Sequence, residues 1–505
     1  MLAPAKIGGW GVRISTGPFR FGVAARANPE ASGRAVESFR DFIARVHPRF
    51  KWYRHCEQLV AVLQRVADDE LSRVIIMMPP RHSKSETVSR LFTAYYLYRH
   101  PERWIGLASY AAALAYKLSR ASRDFARLAG VELRDDAEAV AEWETTQGGG
   151  LWAAGVGGPA TGKGMHLGIL DDPIKNAEEA ASDVIGERNR EWWSSTWYTR
   201  QEPGAALVVI MTRWPGAGDL VGWLYEQEQA DDQPERWHVV SFEAEKTAEA
   251  PVVPETCTIE ADERSPGDAL CPERYPIDKL KKIAARIGSF FYGSLFQQRA
   301  VHREGKMFKW EWWRELPAAP VVTTLVRYWD LAGTEPKKKG HDPDYTASTL
   351  AGRMQDTRTA ILDVTEFRES IGQRDAKIEE VAREDRAKYG LSVRWWFEKE
   401  AGIGGEDRMT SLVRRIQALG ITVHVEPATG SKLLRAEPLA AAAEAGNIAL
   451  GPDNPQRPWR ERFRSHMADF SATCAHDDIA DSASGAFNKL SAYTPGTWGS
   501  STFKA

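Results

Sequence analysis

The sequence predicts an α/β protein with two successive sheets, the first of them parallel. Apolar strands alternate with helices from Val74 to Met211, which is the pattern of βαβ units. A second group of strands starts at Val321, where three hairpin-like strands precede alternating helices and strands. Prolines punctuate the chain between these regions, at 246–320, so we expect a connector there.

These patterns divide the chain into five predicted parts. A length of 505 residues is too great for one core, so two or three domains are expected. The predicted boundaries are an N-terminal arm at 1–35, a first domain at 36–245, the connector at 246–320, a second domain at 321–490 and a C-terminal tail at 491–505.

Composition limits the possible classes of protein. With 43% hydrophobic and 27% charged residues, the chain has the make-up of an ordinary globular protein. Its formal net charge is −3, so any binding to nucleic acid must use local basic faces. Its 4 cysteines form no CxxC pair, which argues against structural zinc and disulfides and fits a reducing compartment. We find no apolar run long enough to span a membrane and no signal peptide, and expect a cytosolic protein without a membrane partner.

The first candidate site is the turn after the strand 74–78. Two prolines end this strand, and Lys84-Ser85 opens a helix. A helix N-terminus after such a turn can hold phosphate, with the lysine on the outer phosphates and the serine on Mg²⁺. An ordinary loop is the alternative, because the generic motif has glycine where Met78 and Ser83 stand.

Two further strands end in polar residues suited to a nucleotide site. The strand 166–170 ends in Asp171-Asp172; one carboxylate would hold Mg²⁺ through water, and the next would orient and deprotonate the attacking water. The strand 206–211 ends in Thr212-Arg213, which we expect to sense the γ-phosphate. A plain turn and a surface arginine are the alternatives, but the pairing of these acids with Lys84-Ser85 favours a site.

The second domain carries acidic residues at the ends of its elements. Asp330 and Glu398 each end an apolar strand, and Asp478 and Asp481 lie in the first turn of the last helix. This order is the layout of the ribonuclease H type of nuclease. Two divalent ions about 4 Å apart, clamped by carboxylates, would stabilise the attacking and leaving oxygens of a phosphodiester. Taken singly, each acid is more typical of a surface carboxylate, since the chain has 69 of them.

Taken together, residues 50–490 resemble the large terminase subunit of tailed bacteriophages, the motor and nuclease that packages viral DNA. Six segments carry the resemblance, and their order and spacing make it specific. They are Pro79–Ser85 (phosphate loop), Ile169–Pro173 with Glu178–Ala180 (magnesium strand), Met211–Trp214 (coupling motif), and Tyr328–Asp330, Phe397–Gly402 and His476–Asp481 (nuclease motifs).

The resemblance implies a P-loop ATPase of the ASCE type followed by a ribonuclease H-like nuclease. The residues that it assigns to ATP are Arg81, His82, Ser83, Lys84, Ser85, Asp171, Thr212 and Arg213. Mg²⁺ would lie on Ser85 and Asp171 in the ATPase and on Asp330, Glu398, Asp478 and Asp481 in the nuclease, where Mn²⁺ is expected to substitute.

Two assignments stay open. The catalytic carboxylate of such motors usually follows the magnesium aspartate directly and is glutamate, but here that position holds Asp172; either it serves, or Glu178 or Glu179 substitutes. In the nuclease, the third metal ligand is either Asp478 or Asp481. Glu398 is preferred to Glu400 as the ligand from its motif.

The resemblance also implies function and partners. ATP hydrolysis would drive double-stranded DNA through the portal protein into the procapsid, with the chain acting beside a small terminase subunit, as a pentamer, in the host cytoplasm. The nuclease would cut concatemeric DNA at initiation and termination. Lysines 337–339 and arginines within 457–464 are candidates for contact with the DNA backbone. The rival interpretations are an ATP-driven translocase or helicase without nuclease activity, and a recombinase of the ribonuclease H type.

Overall fold

The computed structural model describes residues 37–160, 162–215, 219–299, 307–332, 345–398, 405–427, 432–470, 474 and 476–492. The predicted arm at 1–35, lysines 337–339, Glu400 and most of the predicted tail lie outside the described residues. Both sheets belong to the compact unit that begins at Phe39. Among the helices of the described residues, none has both the length and the apolar character that crossing a bilayer requires.

The first sheet has nine strands within the described residues. Its strands are β1 (Arg73–Met77), β2 (Trp104–Ser109), β3 (Leu133–Ala139), β4 (Glu142–Thr145), β5 (Gly150–Gly155), β6 (Met165–Asp171), β7 (Gln201–Met211), β8 (His238–Ser241) and β9 (Thr258–Ile259). The α-helices in the same part of the chain are α1 (Phe39–Val46), α2 (Arg54–Ala67), α3 (Thr93–Arg99), α4 (Ala112–Leu128), α5 (Ala177–Ala181), α6 (Asp183–Trp192), α7 (Leu220–Ala230) and α8 (Ile277–Leu295). Segments of π-helix lie at Glu86–Phe92 and Trp193–Trp197, and 3-10 turns lie at Tyr198–Arg200, Trp310–Trp312 and Gly390–Ser392.

The strand order of the first sheet is β3-β4-β5-β2-β6-β7-β1-β8-β9, and its pairs from β5 to β9 are parallel. Strand β7 therefore lies between β1 and β6. The register pairs Met77 with Met211 and Asp171 with Ile210, so the carboxyl ends of the three strands meet at one edge. Helices cover both faces of such a sheet, which explains why its central strands read as unbroken apolar runs.

The second sheet has seven strands within the described residues, in the order β10-β16-β13-β12-β11-β14-β15. They are β10 (Arg314–Glu315), β11 (Val322–Asp330), β12 (Thr346–Met354), β13 (Thr359–Phe367), β14 (Val393–Glu398), β15 (Thr422–Glu426) and β16 (Ile448–Leu450). The remaining helices are α9 (Ile371–Tyr389), α10 (Gly405–Ala418), α11 (Lys432–Glu444), α12 (Arg460–Asp469) and α13 (Asp478–Ala492). Strands β11 to β13 form an antiparallel meander, and β14 runs parallel to β11.

Helix α13 lies close against this sheet because its residues are small. A methyl group added at Gly485 would come within 2.5 Å of the Tyr328 ring on β11, so only glycine fits this approach. The hydroxyls of Ser482 and Thr349 are 2.9 Å apart and join the helix to β12. This packing fixes the start of α13, with its two acids, beside the ends of β11 and β14.

The predicted fold class is confirmed: the chain is α/β, with a parallel-rich sheet followed by a mixed sheet of the ribonuclease H layout. Each strand predicted to carry a site residue is present. Two features were not predicted. They are strand β5, which lies in the glycine-rich segment 148–164, and the hairpin of β3 and β4. Strand β9 pairs within the first sheet and β10 within the second, so the region 246–320 supplies a strand to each.

Helix α8 precedes the second sheet in the chain and packs against α11. The backbone N–H of Ser289 donates to Glu444 at 2.9 Å. Gly288 interrupts α8 with a φ of 70°, and a methyl group placed there would lie 3.3 Å from the side chain of Ala441. Glu437 lies at the edge of this contact, where burial raises the pKa of its carboxyl to about 7.

Candidate nucleotide and nuclease sites

A cavity of about 430 Å³ opens at the edge of the first sheet where β1, β6 and β7 end. It is lined by Pro80, Arg81, Ser83, Lys84, Ser85, Glu86, Arg90, Asp172, Thr212 and Arg274. The carboxyl edge of a parallel sheet is the usual place for a ligand site in this class of fold. Six of these residues are ones that the sequence assigned to ATP binding or hydrolysis.

Lys84 joins the three strand ends. Its ammonium, on a side chain that is only 6% exposed, donates to Asp172 Oδ1 at 2.8 Å and to the Thr212 hydroxyl. The Thr212 backbone N–H donates to the same Asp172 oxygen at 2.9 Å. A buried ammonium is costly unless it is paired, so these contacts hold a positive charge at the cavity wall.

Asp171 lies directly behind this group and is 2% exposed. The hydroxyl of Ser85 donates to its Oδ1 at 3.1 Å, and that of Ser89 donates to its Oδ2 at 2.6 Å. Burial and the neighbouring Asp172 raise the pKa of Asp171. The serine and aspartate expected to share Mg²⁺ are therefore in contact, and their hard oxygen atoms are the donors that this ion prefers.

The backbone of the site is strained at three positions. Arg81, Ser83 and Asp172 have φ values of 67°, 69° and 44°, in the region that glycine adopts most readily. Ser83 therefore takes the conformation that the generic glycine would take, and the loop keeps its shape without that residue. Left-handed non-glycine residues cost on the order of 1–3 kcal/mol each and concentrate at functional sites.

Besides Asp171, four assigned residues do not line the cavity. The His82 ring is buried against Tyr275, 4.9 Å between ring centroids, and burial lowers its pKa to about 4. Arg213 is buried and pairs with Asp219, its Nε lying 2.8 Å from Oδ2. Helix α5 carries Glu178 and Glu179, and Glu179 accepts a hydrogen bond from the Lys175 backbone instead.

Sequence reasoning missed Arg274 and Ser89. Arg274 comes from the segment before α8 and reaches the cavity across nearly two hundred residues of chain, so no local signal reveals it. Ser89 follows Ser85 by four residues. That spacing places both hydroxyls on one helix face, and it could have indicated that both contact Asp171.

The second candidate site lies at the edge of the second sheet. The last residue of β11 is Asp330 and the last of β14 is Glu398, and these strands are parallel neighbours in register at Trp329 and Phe397. Helix α13 brings Asp478 and Asp481 to the same edge, both at most 6% exposed. The structure thus brings together the four acids that the sequence placed in the nuclease.

Like charges crowd this edge. Burial together with Asp481, Glu398, Asp478 and Asp477 raises the pKa of Asp330 well above its usual range. Burial raises the pKa of Asp481 to about 7, although Arg435 acts in the opposite direction. Buried carboxyls whose pKa values are raised by burial and by neighbouring carboxylates, as at Asp330 and Asp481, are typical of a functional site.

Two basic side chains from α11 balance part of this charge. Arg435 donates to Glu398 Oε2 at 3.0 Å and to Asp481 Oδ2 at 2.9 Å, and Lys432 pairs with Asp477. Carboxylate oxygens suit Mg²⁺ or Mn²⁺, and the buried Asp481 Oδ1 has no hydrogen-bond partner. In the described part of the chain, however, no three acidic, histidine or cysteine side chains are arranged to hold a metal ion. The carboxylate oxygens are suitable ligands for a divalent ion. Their present arrangement does not form a metal site, because Arg435 lies between Glu398 and Asp481.

Comparison with known proteins agrees with this second site. Residues 327–490 match the family described as the terminase RNaseH-like domain. The match begins on β11 and ends within α13, so it includes all four acids. No curated protein sequence matches the chain.

Three solved structures are similar to the chain at low identity. The large terminase of a thermophilic bacteriophage in complex with ADP is 11% identical, with 86% of this chain and 94% of that chain covered and a TM-score of 0.42. The large terminase ATPase domain of Thermus phage P74-26 is 14% identical, with coverage of 52% and 98% and a TM-score of 0.32. The large terminase nuclease of thermophilic phage G20c with bound magnesium is 16% identical, with coverage of 36% and 97% and a TM-score of 0.24. TM-scores of this size are too low to assign an activity.

The assignment to a family therefore depends on the sequence match. That match and the resemblance carried by the six motifs identify the same kind of protein. Residues 327–490 thus match the terminase RNaseH-like domain, in agreement with the resemblance to the large terminase subunit that the sequence predicts.

Proposed function

We propose that this chain packages viral DNA, with an ATPase at the edge of the first sheet and a metal-dependent endonuclease at the edge of the second. One observation carries the ATPase half: Lys84, Asp172 and Thr212, from three separate segments, meet on the wall of one cavity. ATP hydrolysis would move double-stranded DNA through the portal protein into the procapsid.

In the ATPase, Lys84 and Arg81 would bind the outer phosphates of ATP, and Ser85 and Asp171 would hold Mg²⁺. The ion, when bound, neutralises charge on the phosphates. Asp172 would orient and deprotonate the attacking water, because it faces the cavity while Glu178 and Glu179 do not line it. Releasing Asp172 for that role requires Lys84 to exchange its carboxylate partner for phosphate.

In the nuclease, Asp330, Glu398, Asp478 and Asp481 would hold two Mg²⁺ or Mn²⁺ ions. Bound ions would supply a nucleophile and stabilise the leaving oxygen of the cut strand. Support comes from the family match over these four residues and from the crowding of their carboxylates. The proposed reaction is the cutting of concatemeric DNA at the start and at the end of packaging.

The proposed partners are double-stranded DNA, the portal protein, a small terminase subunit and further copies of this chain, as a pentamer on the procapsid. The proposed setting is the host cytoplasm. Contact with DNA would be through its phosphates and would weaken as salt rises. Arginines within 457–464 stay candidates for this contact, although Arg460 and Arg464 also pair with Glu315.

A triplex-displacement assay tests the motor. A third strand bound to duplex DNA should be released by the wild type with ATP, and not by Lys84→Ala or with a non-hydrolysable analogue. An Asp330→Ala variant, which leaves the cavity intact, is the matched control and should still release the strand. No ATP-dependent release by the wild type, in the presence of its portal, would contradict the motor.

The same assay separates the rival interpretations. A helicase would unwind a forked duplex as well as a triplex, whereas a translocase of double-stranded DNA would leave the fork paired. A recombinase of the ribonuclease H type would give neither result and would show no ATP turnover. The cavity with Lys84 favours an ATP-driven motor over that recombinase.

A further inference from the structure

Arg435 links three elements at the nuclease edge. It lies on α11, and its backbone carbonyl accepts a hydrogen bond from Asn488 on α13 at 2.8 Å. One terminal nitrogen donates to Glu398 at the end of β14, and the other donates to Asp481 on α13. The planar guanidinium fork is well suited to bridge two carboxylates in this way.

These pairs lie where solvent screening is weak. The Arg435 side chain is 20% exposed and that of Asp481 is 5% exposed. The pair therefore interacts more strongly than an exposed ion pair. Arg435 engages Glu398 Oε2 and Asp481 Oδ2, which leaves Asp481 Oδ1 buried without a hydrogen-bond partner.

A divalent ion at this edge would need some of the same oxygen atoms. Glu398 and Asp481 are two of the four carboxylates in the proposed nuclease site, and Arg435 bonds to both. An ion that binds to either engaged oxygen must first break a charge-assisted hydrogen bond. Lys432, three residues earlier on α11, offers a comparison because it carries the same charge but pairs with Asp477.

We propose that Arg435 is a built-in competitor of the nuclease metal: it closes the acid cluster by bridging Glu398 and Asp481, and a divalent ion must displace it. Arg435 is thus a positioning residue that sets the concentration of divalent ion needed to fill the site. The inference rests on the proposed nuclease function. It adds a residue that the three nuclease motifs do not contain and that bonds to two of their carboxylates.

Titration of the full chain with Mn²⁺ by calorimetry, without nucleotide or DNA, tests this inference. The nuclease-site component is the binding that Asp330→Asn removes. Arg435→Gln should lower the dissociation constant of that component about tenfold, as loss of one competing interaction implies. Lys432→Gln, the charge-matched control, should change it by less than about threefold, since it frees neither bridged oxygen.

Thermal unfolding supplies a second readout. Without metal, Arg435→Gln should melt below the wild type because the buried Asp481 and the half-buried Glu398 lose their partner, and Mn²⁺ should raise its melting temperature more than that of the wild type. Arg435→Lys keeps the charge with a single donor point, so its Mn²⁺ affinity should lie between those of the wild type and Arg435→Gln. Arg435→Lys provides the test if Arg435→Gln does not fold.

The outcomes separate two failures. If Asp330→Asn leaves Mn²⁺ binding unchanged, the proposed nuclease site itself is wrong. If Asp330→Asn removes a binding component but Arg435→Gln does not tighten it, or Lys432→Gln tightens it equally, then Arg435 is not a competitor and only this inference is overturned.

Discussion

The Lys84 ammonium lies 2.8 Å from Asp172 Oδ1, and this contact joins the loop after β1 to the end of β6 across the intervening strand β7. It places the two groups most important for the proposed ATPase within one hydrogen bond of each other. Asp172 is held there by a backbone φ of 44° and by the Thr212 N–H. The predictions for the ATPase follow from this relationship.

Asp172→Asn should reduce ATP turnover by about 100-fold or more, which is the usual contribution of a positioned general base. Glu178→Gln and Glu179→Gln should each retain most of the wild-type rate, because neither residue lines the cavity. Steady-state phosphate release measures all three. A larger loss in either glutamine variant than in Asp172→Asn would reassign the base to α5.

Ser83→Gly should keep ATP turnover within about twofold of the wild type, because glycine adopts the observed φ of 69° without strain. Ser83→Val should lower both stability and turnover, since a β-branched residue is poorly tolerated in this region of backbone space. Chemical denaturation and phosphate release provide the two measurements. Equal behaviour of the glycine and valine variants would show that the loop conformation does not matter.

Arg213→Ala should destabilise the protein by about 3–5 kcal/mol, the usual cost of leaving one member of a buried ion pair alone. Both Arg213 and Asp219 are at most 7% exposed, and Asp219 also caps α7. Arg134→Ala, which removes exposed pairs with Asp136 and Glu144, is the control and should leave stability close to that of the wild type. An Arg213 variant of full stability that fails only in ATP turnover would instead support direct sensing of phosphate.

Glu437→Gln should stabilise the protein at pH 8 but not at pH 4. Burial raises the pKa of this carboxyl to about 7 in the folded chain, so folding favours its protonated form. Its contribution to stability is therefore lost as the pH rises from the unfolded value near 4.5 to about 7. The difference in unfolding free energy between variant and wild type should grow by about 1–2 kcal/mol across this interval, less than the full pKa shift implies because solvent screens this half-buried group. A difference that does not change with pH would show that Glu437 titrates normally.

Much of this organisation could be predicted from local sequence patterns. Apolar runs that end in Lys84-Ser85, Asp171-Asp172 or Asp330 mark strand ends, and parallel neighbours bring such ends to one edge. Strand β5 was not predicted, because strands are usually recognised by β-branched and aromatic residues and β5 begins and ends in glycine. A side chain at Gly150 would collide with the backbone of Trp143, and one at Gly155 with the backbone of Ala112, which explains why β5 begins and ends in glycine.

The partners of the charged groups could not be predicted in the same way. Arg435 meets Glu398 and Asp481 only because α11, β14 and α13 converge, and no spacing along the chain indicates it. The same holds for Arg274 at the nucleotide cavity. Arg213 follows a strand end like the other candidates, but its guanidinium turns to Asp219, a direction that depends on where α7 packs.

The most direct test of the central claim is to assay ATP turnover and metal-dependent plasmid cutting on the same preparations of wild type, Lys84→Ala and Asp330→Ala. The account predicts that the wild type does both with Mg²⁺ or Mn²⁺, that Lys84→Ala loses turnover, and that Asp330→Ala loses cutting but keeps turnover. If Asp330→Ala cuts as well as the wild type, or Lys84→Ala hydrolyses ATP at the wild-type rate, the corresponding site has been placed on the wrong residues.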